Sequence, residues 1–115
     1  MDHDGDRRVL AVMVSHGADL SKPAQTIHFL YFKSLNAANA AASELRDSGY
    51  QNVRVHHAPT KSIWKRLFGP KEFSCIAETR AVPSEAAVFA TTDLMNQLAN
   101  KYGGDYDGWE ASIEK

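Results

Sequence analysis

Cysteine is nearly absent. Cys75 stands alone, so no intrachain disulfide framework can form, and a reducing compartment is the expected setting. Long apolar runs are missing as well. A typical stretch, residues 9–14, falls far short of the ~20 residues that span a bilayer, and the acidic start Met1-Asp2-His3-Asp4 leads into no signal-type apolar region. There is little charge excess of either sign: the net charge is −1, with 23% charged and 43% hydrophobic residues, the balance of an ordinary globular domain. Residues 1–115 are therefore expected to form a single soluble, cytoplasmic domain with no membrane contact.

Catalytic signatures are also lacking. The chain contains no Gly-x-Gly-x-x-Gly, no phosphate-binding loop, no His-Glu-x-x-His and no Gly-x-Ser-x-Gly. His56 and His57 are adjacent on an expected strand, so they point to opposite faces and cannot easily share a metal. His28, in mid-strand, reads as a hydrogen-bonded structural histidine, and Cys75 as a buried, inert thiol. Asp105-x-Asp107-Gly108 lacks the remaining ligands of a calcium loop. The expectation is a protein that is not an enzyme, with no catalytic residues, no metal site and no cofactor.

What the chain does have is clear periodicity. Asp4 and Asp6 open a helix over 4–17 that Gly17 stops, and Pro23 closes the following linker. Residues 26–32, Thr-Ile-His-Phe-Leu-Tyr-Phe, form the strongest strand, with apolar side chains on both faces. Ser34 is the expected N-cap of an alanine-rich helix over 35–48, with Leu45 as its one large anchor and Gly49 as its end. Strands are expected at 50–58 and 72–81, joined by a long connection. A last helix runs from Pro83-Ser84 to Tyr102, with Val88, Thr92, Met95, Ala99 and Tyr102 on one stripe. A short final strand is expected within 109–113, after a turn at Gly108. This order predicts an α+β fold: a ferredoxin-like antiparallel sheet with its helices packed on one face, plus an extra N-terminal helix.

Two regions stand out for function. Residues 48–71 carry Arg54, Lys61, Lys65, Arg66 and Lys71 with no acidic residue, whereas Glu85, Asp93, Asp105, Asp107, Glu110 and Glu114 dominate the last third. In the basic stretch Lys61, Trp64, Lys65, Arg66, Phe68 and Lys71 interleave cations with rings, the composition of a platform for single-stranded RNA. The same residues place Ile63 with Leu67 and Trp64 with Phe68 at i,i+4, so a buried amphipathic turn and a protein contact stay open as readings. In the acidic stretch, Asp105-Tyr106-Asp107-Gly108-Trp109-Glu110 combines aromatic anchors with carboxylates, the composition of a protein-binding surface or of a chain end locked onto a core.

The run Leu98-Ala99-Asn100-Lys101-Tyr102 followed by Tyr106-Asp107-Gly108-Trp109 resembles the closing signature of the regulator of ribonuclease E activity B family. The connector Gly-Ala-Asp-Leu-Ser-Lys-Pro at 17–23, the strand at 27–32 and the alanine-rich helix leaving through Gly49-Tyr50 are similar too. The resemblance implies a non-catalytic regulator that binds endoribonuclease E and restrains RNA processing and decay. Tyr106 and Trp109 would then be anchors, and Asp105, Asp107 and Glu110 would pair with basic groups on that or another protein partner. RNA binding through the basic loop, and a homodimer through a sheet edge, are the rival expectations.

Overall fold

The computed structural model describes residues 3–57 and 72–115. Its elements run α1 (Asp4–Ser15), β1 (Ala24–Phe32), α2 (Leu35–Asp47), β2 (Gln51–His57), β3 (Phe73–Ala81), α3 (Glu85–Lys101) and β4 (Asp105–Ala111). The four strands form one antiparallel sheet in the order β2-β3-β1-β4. A βαββαβ chain with this strand order is the ferredoxin-like arrangement, in which each helical crossover skips over a neighbouring strand. Lys61, Trp64, Lys65, Arg66, Phe68 and Lys71, the residues read as an RNA platform, lie outside the described residues.

Local chemistry sets the helix boundaries. Ser34 Oγ accepts from the Ala37 amide and Ser84 Oγ from the Ala87 amide, each satisfying an amide that the helix itself leaves unpaired. At the end of α3 the Gly103 amide bonds to Asn100 O and the Gly104 amide to Ala99 O, with Gly103 at φ 69. Those paired bonds turn the chain sharply out of the helix and straight into β4.

The described helices cover one face of the sheet. Ala24, Thr26, His28, Leu30 and Phe32 alternate inward along β1. Leu30, Phe32, Cys75 and Ala77 meet Ala38, Ala41, Ala42 and Leu45 of α2 and Met95, Leu98 and Ala99 of α3. The small alanine side chains let α2 lie close to the strands, which is why its buried stripe needs only Leu45 as a large group. Burial pushes the Cys75 thiol up to about 11, which leaves it protonated and unreactive at neutral pH. A second cluster, Leu10, Met13, Val88 and Trp109, seats α1 beside α3 and against β4.

The last strand departs from the sequence expectation. It begins at Asp105 and carries the whole aromatic-acidic motif. Gly108 lies inside it and makes no turn after the helix. The low β-propensity of Asp and Gly hides such a strand from a pattern reading. Pairing with β1 supplies what local propensity does not.

Candidate functional site

The site is built around a bulge. Tyr106 pairs with Leu30 and Trp109 with His28, so Asp107 and Gly108 together stand opposite Phe29 alone. Gly108 has φ 101, a conformation that favours glycine over any residue with a Cβ. In a regular strand, residues three apart face opposite ways. The extra residue cancels that alternation, and Tyr106 and Trp109 both turn toward the helices.

Once inside, both rings enter a polar network. The Trp109 Nε1–H donates to Asp6 Oδ1 at 3.0 Å. Asp6 Oδ2 accepts from Thr92 Oγ1 at 2.7 Å and lies 2.9 Å from His3 Nδ1. His3 in turn reaches Asp93 at 3.2 Å and stacks on Phe89. One carboxylate on α1 thus ties together α3 and β4, elements remote from it in sequence. Trp109 is only 8% exposed. The Tyr106 hydroxyl lies 2.9 Å from His28 Nδ1, and burial, followed by the Asp6 and Tyr50 charges, pushes its phenol above the usual range.

His28 is buried among Tyr50, Tyr106 and Trp109. Its Nε2 has no hydrogen-bond partner among the described residues, and the ring borders a cavity of about 30 Å³ shared with Thr26, Thr79, Val88, Thr91 and Trp109. That is room for a single water-sized molecule. Burial lowers the His28 pKa from 6.5 to about 4, with the Asp6 carboxylate opposing the shift. Between those values the unfolded chain takes up a proton that the folded chain refuses. Stability is therefore complete above pH 6.5 and falls as the pH drops toward 4. Unfolding free energies in urea, measured across this window, are expected to fall by about 3 kcal/mol more for the wild type than for His28→Gln. Parallel profiles would remove His28 as the source.

Outward, the same strand shows a different chemistry. Asp105, Asp107 and Glu110 are exposed, and no described basic side chain pairs with them. Of the residues that the sequence singles out, the structure brings the three carboxylates together on the outside of β4 and sends Tyr106 and Trp109 inward. The sequence reading missed Asp6, His28 and Thr92 as partners of the motif. No local signal could have found the Asp6–Trp109 bond, which joins opposite ends of the chain. The alternation of 26–32 places Ile27, Phe29 and Tyr31 on one side of β1 and His28, Leu30 and Phe32 on the other, as the structure has them.

These features define a ferredoxin-like α+β domain whose edge strand is locked from within and acidic without. The chain belongs to the family described as regulator of ribonuclease activity B, which matches residues 3–111. This is a family of regulatory proteins. No curated protein matches the sequence. No described helix is long and apolar enough to cross a membrane.

Proposed function

We propose that this protein restrains ribonuclease E by binding to it, through occlusion or restraint and not through chemistry of its own. What carries the reading is the family membership over residues 3–111. The form of the contact follows from β4. Asp105, Asp107 and Glu110 are presented on a strand that Tyr106 and Trp109 hold rigid from the inside, so their spacing is preset before a partner arrives. Preset charges lose less entropy on binding than charges on a mobile tail. Tyr106 and Trp109 serve this surface as positioning residues beneath it.

The test uses ribonuclease E from the same organism and a structured RNA substrate. Cleavage is expected to slow when the protein is added and to recover with an Asp105→Lys/Asp107→Lys/Glu110→Lys chain of unchanged circular dichroism. A folded wild-type chain that neither slows cleavage nor co-sediments with ribonuclease E sinks the reading.

A further inference from the structure

β1 carries two sets of side chains, and the described helices cover one. Their buried contacts all fall on the Leu30–Phe32 side. On the other side Ile27, Phe29 and Tyr31 are only half-buried. Register places their neighbours: Ile76 opposite Phe29, Ser74 and Asp105 on either side of Tyr31, and Glu78 and Glu110 on either side of Ile27. Directly paired residues share a face. The result is an apolar, aromatic stripe, Ile27-Phe29-Tyr31 with Ile76, flanked along β4 by carboxylates.

The charge of this face is one-sided. Two of its described cations are already matched: Arg54 bonds to Glu78 at 2.7 Å and Arg80 lies 4.0 Å from Glu114. Asp105, Asp107, Glu110 and Glu72 have no such described partner. Burial raises the Tyr31 phenol, and the charges of Asp107 and then Glu72 raise it further, so both carboxylates act on this ring. An aromatic ring bordered by carboxylates suits a guanidinium, which stacks on the ring face while its N–H groups meet the acids. The same acids repel phosphates.

Resting on the regulatory reading above, we propose that the face of the sheet left open by the described helices docks an extended, arginine-bearing segment of a protein partner. Its apolar and guanidinium groups lie over Phe29 and Tyr31, and its charges meet Asp105, Asp107, Glu110 and Glu72. An extended segment matches the face because alternate side chains repeat at the spacing of the strand beneath. The aromatic stripe supplies contact area, and the carboxylates select the sign of the partner.

The probe is a fluorescein-labelled peptide of alternating arginine and leucine, followed by anisotropy at low and moderate salt. Alternating glutamate-leucine peptide and poly-uridine RNA are the comparisons. Binding of the arginine peptide is expected to weaken at least tenfold with Asp105→Lys/Asp107→Lys and several-fold with Tyr31→Ser, while the exposed control Asp47→Lys/Glu85→Lys changes it far less. Equal loss with the control pair would reduce the effect to bulk charge and overturn the proposal. So would tighter binding of the RNA, or a wild-type dimer in light scattering that Tyr31→Ser splits. If ribonuclease E binds the wild type and the Asp105→Lys/Asp107→Lys and Tyr31→Ser chains alike, this surface and the β4 contact are both wrong, and only regulation by binding through another surface stands. If the peptide behaves as expected and ribonuclease E does not bind, the surface stands and the regulatory reading falls.

Discussion

Trp109→Ala is expected to cost the fold roughly 4 kcal/mol, the range for emptying a buried aromatic site. The ring is 8% exposed and packs with Leu10, Met13 and Val88, the cluster that holds α1 to the body of the domain. Removing it opens a cavity and also leaves Asp6 Oδ1 without its indole donor at 3.0 Å, and an orphaned charged acceptor adds to the loss. Urea unfolding followed by circular dichroism measures the total. Trp109→Phe keeps most of the apolar volume and loses the N–H, so it should cost about 1–2 kcal/mol. A Trp109→Ala chain that kept its stability within ~1 kcal/mol and lost only partner binding would contradict the inward role assigned here.

Gly104→Ala should be as damaging, although it adds a single methyl group. A Cβ there would stand 2.3 Å from the Tyr31 carbonyl oxygen and 2.5 Å from Phe32 Cδ1. The carbonyl belongs to the sheet backbone and Phe32 is 1% exposed, so neither has room to yield. Relief requires β4 to move away from β1, and the expected loss is roughly 4 kcal/mol or more. Gly5 provides the contrast. It lies in α1 with nothing within 4 Å of an added Cβ, and Gly5→Ala should stabilise by up to about 1 kcal/mol through helix propensity alone. Thermal unfolding of the two variants side by side checks both signs; similar midpoints would refute the close-approach argument.

Much of the architecture was legible in the chain because its determinants are local. Ser34 and Ser84 cap helices through bonds to amides three residues on, and glycines stop those helices by their own backbone freedom. The alternation of 26–32 marked β1 as a strand with apolar groups on both faces, and the boundaries of most elements fall within two residues of expectation. The alanine stripe of α2 and the stripe of α3 face the core as their spacing requires. β4 was harder to place, because Asp and Gly depress the local strand signal.

By itself, then, the sequence determined the order of the elements, the fold class and the family, all of which follow from short-range periodicity, capping and the Tyr106-Asp107-Gly108-Trp109 motif. Only the tertiary structure decided which way that motif faces. An alternating strand would have put Tyr106 and Trp109 on opposite sides. The bulge at Gly108 adds one residue to β4 against β1, and that single step turns both rings inward, onto His28 and Asp6, while Asp105, Asp107 and Glu110 stay in solvent. Register between strands distant in sequence is a property of their pairing, and no local pattern contains it.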